Sequence, residues 1–155
     1  MNRSKLPPLV FERGDTLAES VIVYDRDNSL LVVSLGREND YSGEFINIGR
    51  VCIALGGSMN AVDMQIQYTP AEAVRVPGLS LPEGFPARVI FPDSYVLVED
   101  NCTIELPPDS RAMHLFYADL PANELLHLAV ARNVVFDVTI DNRLAGIWVG
   151  EIQQR

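Results

Sequence analysis

The sequence predicts a mainly β domain: an antiparallel β-sandwich or barrel of about ten short strands, with one α-helix near the C-terminus over 121–132. Three observations predict it. First, three stretches share the order apolar run, Asp-Asn, apolar run: VIVYDRDNSLLVV (21–33), SYVLVEDNCTIEL (94–106) and VVFDVTIDNRLAGIWV (134–149). Asp and Asn tolerate the left-handed backbone of tight turns, so strand formers on both sides of such a tip read as a hairpin. Second, VDMQIQY (62–68) sets Val62, Met64, Ile66 and Tyr68 against Asp63, Gln65 and Gln67. Strict period two means a strand with one wet face, hence an antiparallel sheet. Third, PANELLHLAVAR (121–132) has Pro121 in a first helical turn and Asp119 as a nearby cap, with Arg132 at the C-terminal end of the dipole. Asn133 follows, suited to closing a helix in the left-handed conformation.

Taken in order, residues 1–8 read as a loose arm ending in Pro7-Pro8, and Leu9 to Phe11 as a short edge strand broken at Gly14-Asp15. The first hairpin has strands near 20–25 and 29–35. GRENDYSG (36–43) is a polar loop, and EFINIG and RVCIAL are short β runs around Gly49, which marks a bulge or a bend. GGSMN (56–60) is a turn, 62–68 a strand, and Glu72 to Val76 another short strand. Residues 77–92 contain Pro77, Pro82, Pro86 and Pro92, a density that forbids a central strand and implies a loop or an edge. The second Asp-Asn hairpin, a strand from Arg111 to Tyr117, the helix and the third hairpin complete the chain. No composition break divides it, and 155 residues suffice for one domain with its own core.

Composition excludes several functions. The net charge is −9, and residues 51–110 hold two Arg against eight Asp and Glu. Phosphate binding needs a basic stripe, and none is present, so nucleic acid is not an expected partner. No apolar run reaches the roughly 18–20 residues that span a bilayer, and the acidity repels anionic membranes. MNRSKLPPLVFERGD has no apolar h-region, so read from Met1 the chain is expected to be cytoplasmic. Cys52 and Cys102 sit in apolar runs outside any metal spacing, which reads as two buried thiols. No cofactor or metal is expected. Lys5 is the only lysine, a skew without functional weight.

The candidates for chemistry are few. Glu124 and His127, three apart on the expected helix, share a face as in Glu-x-x-His metal sites, but those need a second such motif and further Glu residues. A surface Glu–His pair is the better account. In the strand RAMHLFY, His114 shares a face with Ala112 and Phe116. If that strand packs on the helix, His114, Glu124 and His127 converge into a weak zinc or general-base site. The Asp-Asn tips lack the ligand series of a calcium loop. Gly56-Gly57-Ser58-Met59-Asn60 lacks the flanking glycine of a nucleophile elbow and reads as a turn. Trp148, Tyr24, Tyr41, Tyr68 and Tyr95 read as core or cross-strand residues, with Trp148 buried.

The function expected from this is a non-enzymatic protein-interaction domain, such as an acidic inhibitor, an immunity-type protein or an assembly adaptor. Its partner is another protein or a second copy through a sheet edge. The expected contact residues are Leu79, Leu81 and Phe85 on the Pro-rich loop, with Glu99 and Asp100. The first alternative is a small-molecule-binding barrel or sandwich. The second is a small hydrolase or metal-dependent enzyme using His114, His127 and Glu124.

Overall fold

The computed structural model describes residues 5–36, 41–97 and 102–155. Among them are fifteen strands: β1 (Val10–Arg13), β2 (Val21–Asp25), β3 (Leu30–Ser34), β4 (Tyr41–Ile48), β5 (Val51–Gly56), β6 (Ala61–Gln67), β7 (Val74–Arg75), β8 (Phe85–Ile90), β9 (Tyr95–Leu97), β10 (Thr103–Leu106), β11 (Met113–Phe116), β12 (Leu125–Ala131), β13 (Val134–Thr139), β14 (Leu144–Val149) and β15 (Gln153–Gln154). They form an eight-stranded sheet in the order β1-β8-β12-β13-β14-β11-β10-β7 and a seven-stranded sheet in the order β15-β2-β3-β6-β5-β4-β9. Both sheets are mixed rather than purely antiparallel, because β7, β8, β9 and β15 each pair in parallel with a neighbour.

Period-two alternation decides which side chains face inward. In β6, Val62, Met64 and Ile66 are buried, whereas Gln65 and Gln67 are exposed. In β11, Met113 and Leu115 are buried while His114 and Phe116 lie on the other face. Inward residues of both sheets, among them Leu31, Ile53 and Ile66 of one and Leu115, Phe136 and Ile147 of the other, belong to one hydrophobic core. The bridge Asn60–Ile90 links the two sheets at one corner.

The first and third hairpins form as expected, β2–β3 and β13–β14. In the first tip, Asp25 accepts hydrogen bonds from the Asp27 backbone N–H and the Asn28 amide. In the third, Asn142 has φ 61°. The second expected hairpin is corrected: β9 joins β4 in the seven-stranded sheet and β10 joins β11 in the other. Its tip, with Glu99, Asp100 and Asn101, lies outside the described residues, as do residues 37–40 of the loop expected over 36–43; the last three residues of that stretch are corrected from loop to the start of β4. Gly49, at φ 57°, closes the tight β4–β5 turn.

The expected helix is corrected as well. Residues 122–124 make one 3-10 turn and Leu125–Ala131 is strand β12. LLHLAVA satisfies a strand period as readily as a helical one, and a helix of that length is marginal alone. Here β13 pairs with it on one side and β8 on the other, and these bonds outweigh the modest helix propensity. Asn133 does take the left-handed conformation, at φ 64°, but it closes the β12–β13 turn. The Pro-rich stretch is also not all loop. Its Phe85–Ile90 forms β8, second in its sheet, with Pro86 near the strand start, where a missing N–H is tolerated. Finally, residues 5–8 are no loose arm. Leu6 is fully buried, and Pro8 bridges Arg143.

Candidate functional site

Two of the weak sequence candidates, His114 and His127, meet on the outer face of the eight-stranded sheet, joined by a residue not anticipated. The register places Phe116, Gly146, Asp137 and His127 in one row across β11, β14, β13 and β12. The adjacent row holds Glu105, His114 and Trp148. Asp137 is only 3% exposed, and a buried carboxylate must find donors. It finds three. His127 Nδ1 lies 2.6 Å from Oδ1. The Trp148 indole N–H donates to Oδ2 at 2.9 Å, and His114 Nε2 lies 3.3 Å from the same oxygen. His114 Nδ1 reaches Glu105 Oε1 at 3.0 Å, and its ring stacks on Trp148 with centroids 3.6 Å apart and planes at 10°.

Gly146 makes this reach possible. It sits between Asp137 and Phe116, and a Cβ there would meet the Leu115 carbonyl at 2.9 Å, Asp137 Oδ2 at 3.2 Å and Phe116 Cβ at 3.3 Å. Without a side chain at that point, His114 on β11 contacts Asp137 on β13 across the intervening β14. Beside the network lies a cleft of about 200 Å³ lined in part by Glu105, His114, Asp119, Leu120, Leu125 and Asp137.

Chemically, Asp137 orients His127 through Nδ1, as a carboxylate orients a general base. No Ser, Thr or Cys side chain is bonded to either imidazole among the described hydrogen bonds that contain them, so a nucleophile would have to arrive with a ligand. The side chains bond one another rather than converge on one point, and no group of three metal-ligating residues is found among the described residues. Glu124, expected to share a helical face with His127, instead ends the 3-10 turn before β12. Trp148, expected to be buried, is half-buried on this outer face. Asp137, Glu105 and Gly146 were missed. The available signal was an Asp inside VVFDVTI, where apolar residues on both faces make a lone carboxylate expensive.

The expected contact loop is seated on the domain. Leu79, Leu81 and Phe85 are half-buried. Leu81 packs on Gly150 so closely that a Cβ there would meet its methyl at 3.0 Å. Phe85 packs against Phe11, and the Arg13 guanidinium lies over its ring at 4.0 Å.

The outer face of the seven-stranded sheet is different. One row reads Gln153, Val23, Val32, Gln65, Cys52, Asn47, Val96 across all seven strands. The next reads Val21, Ser34, Asp63, Ala54, Phe45. Val96 is 70% exposed, Val21 64%, Phe45 43% and Val32 39%. The two rows hold one charged residue, Asp63, which accepts a hydrogen bond from the Tyr41 hydroxyl. Burial raises the Asp63 pKa above the usual carboxylate value, against a smaller lowering by the Ser34 hydroxyl. Burial likewise pushes the Cys52 thiol up. Neither cysteine, Cys52 or Cys102, is in a disulfide, and both are half-buried rather than fully buried.

No protein-family model matches the chain, and no curated protein matches it. No helix among the described residues is long and apolar enough to cross a membrane.

Proposed function

We propose that this is a non-enzymatic protein-interaction domain, of the inhibitor or adaptor kind, working through the outer face of the seven-stranded sheet. The observation that carries the reading is the row from Gln153 to Val96, which crosses seven strands without a charge in a chain of net charge −9. Acidic chains place charge on surfaces that only meet water. Large uncharged patches with exposed valines mark contacts. In this reading the two sheets form a sandwich, each with its inner face on the shared core, since among the described residues neither sheet pairs its first strand with its last. Leu79, Leu81 and Phe85 serve packing more than contact.

The test compares two sets of substitutions in purified protein. Val32→Arg on the sheet face is expected to abolish a complex and leave the fold intact. Leu79→Ser with Leu81→Ser is expected to lower stability and spare the complex. The reverse pattern would return the contact to the loop and overturn the reading.

A second reading, small-molecule binding, is favoured by the cleft at Glu105, Asp119 and Asp137, whose carboxylates suit a small cation. Thermal stabilisation by simple amines or guanidines, lost in Glu105→Gln, would support it. No stabilisation by either would remove it.

A further inference from the structure

We infer that the outer face of the seven-stranded sheet holds a trough for one cationic side chain on an alkyl stem, the lysine or arginine of a basic partner. The inference rests on the interaction reading above and names what the partner inserts. Three observations support it. First, side-chain size makes the trough. The register sets Ala54 between Phe45 and Asp63, and Cys52 between Asn47 and Gln65. Small residues on β5 thus lie between longer ones on β4 and β6, and the hollow they leave measures about 280 Å³. The Tyr41 hydroxyl, from β4, donates to Asp63 on β6 and closes one end of it across β5.

Second, the carboxylate in the trough has no cation. Asp63 is half-buried and accepts from the Tyr41 hydroxyl, with the Ser34 hydroxyl beside it. No Lys, Arg or His pairs with it among the described residues, whereas Glu19 and Glu72 each meet an arginine. Burial raises the Asp63 pKa above the usual carboxylate value, so its charge is costly until a positive group stands against it. Third, the walls suit a cation and its stem. Tyr41 and Phe45 are exposed, and aromatic faces attract ammonium and guanidinium groups. Cys52 and Ala54 give the methylenes an apolar floor. Gln65 is exposed and its side-chain amide is unbonded among the described residues, so its carbonyl is a second acceptor. An anionic ligand finds no match, because neither outward row holds a Lys or an Arg. The chain's net charge of −9 draws the same class of partner from a distance.

The experiment is a titration of the full, isotope-labelled chain followed by backbone amide NMR shifts. The probe is N-acetyl-lysine amide, compared at matched ionic strength with N-acetyl-norleucine amide, which has the stem without the charge. The lysine probe is expected to shift the amides of Cys52, Ala54, Asp63 and Gln65 and to bind about tenfold more tightly than the norleucine probe. Asp63→Asn, isosteric and uncharged, is expected to erase that preference. Phe45→Ala, at an exposed position, is expected to weaken the lysine probe about two- to fivefold. Unchanged shifts elsewhere in the spectrum confirm that both variants are folded. Equal binding of the two probes, or binding of neither, overturns the inference. A preference that survives Asp63→Asn overturns it too, as do shifts that map to the cleft at Glu105, Asp119 and Asp137 instead of the trough. The interaction reading is judged separately, because its test turns on Val32, which lies outside the trough; it falls only if Val32→Arg also spares the complex.

Discussion

The outer faces of the two sheets arise from the same alternation of side chains and differ in what they ask of the fold. On the eight-stranded sheet, Asp137 binds His114, His127 and Trp148, and His114 binds Glu105. Each of these side chains is committed to another. On the seven-stranded sheet, the row from Val23 to Val96 contains apolar and amide side chains in exposed or half-exposed positions. A buried carboxylate is costly unless its donors stay in place, so the first face is fixed by internal demands. The second face makes few such demands and is free to be shaped by an external surface. Polarity, on this comparison, marks where the domain holds itself together, and the proposed contact face lies where it is absent.

Substitutions at four positions break or sharpen that contrast. The largest effect is expected from Asp137→Ala, which takes the partner from the Trp148 N–H and from two imidazole nitrogens and should cost about 3–5 kcal/mol in urea denaturation. Asp137→Asn should cost clearly less, since it retains an acceptor oxygen. A loss under about 1 kcal/mol for the alanine variant would place this network among weak surface pairs and remove the contrast. Gly146→Ala comes next, at about 1–3 kcal/mol, because its Cβ forces β11 or the Asp137 carboxylate to shift.

Asp63→Asn acts in the opposite direction. Burial raises the folded pKa of Asp63, so the folded state prefers the protonated form. The stability tied to that proton is complete below the unfolded pKa and is lost as pH rises through the folded one. Asn mimics the protonated form. The variant should therefore melt above the wild type at neutral pH and match it at acid pH, below both pKa values. Equal melting temperatures throughout would remove the claim that Asp63 resists ionisation. The smallest effect is expected from Val32→Thr, within about 0.5 kcal/mol for the monomer. A larger loss at low protein concentration would mean that the bare face contributes to the fold and is not reserved for contact.

The fold was legible wherever pairing is local. In 21–33 and 134–149, each Asp-Asn tip joins strands that pair with each other, so pattern and turn chemistry give both partners. In 94–106 the same pattern misleads, because Tyr95–Leu97 pairs with Ile46–Ile48 and Thr103–Glu105 with His114–Phe116. The turn signal carries no information about that distant choice. The 121–132 segment misled for a different reason: two periods fitted one short apolar run, and neighbours on both sides decided. Of the histidine site, the face of His114 was legible from its strand. Its partners were not, since Asp137 reaches His114 only across β14 and only because residue 146 has no side chain. The bare face was partly legible as the Asp63, Gln65 and Gln67 side of β6, but its extent depends on the order of seven strands.

The Leu6–Leu9 segment ties the domain together across nearly its whole length. The Arg143 guanidinium donates to the Leu6 carbonyl, 137 positions away in sequence, at 2.7 Å, and Leu144 N–H donates to the Pro7 carbonyl at 2.9 Å. The docking ground for this segment exists only once β13 and β14 have turned back on each other, so its attachment belongs late in folding. In hydrogen exchange, the Leu9 and Leu144 amides should form a cooperative unit that opens before the amides around Phe136 at the sheet centre. Undocking would release the tip of the hairpin whose first strand carries Asp137. A binder or protease acting on residues 5–9 would thus loosen the histidine network from a distance, with the far end of the chain serving as its latch.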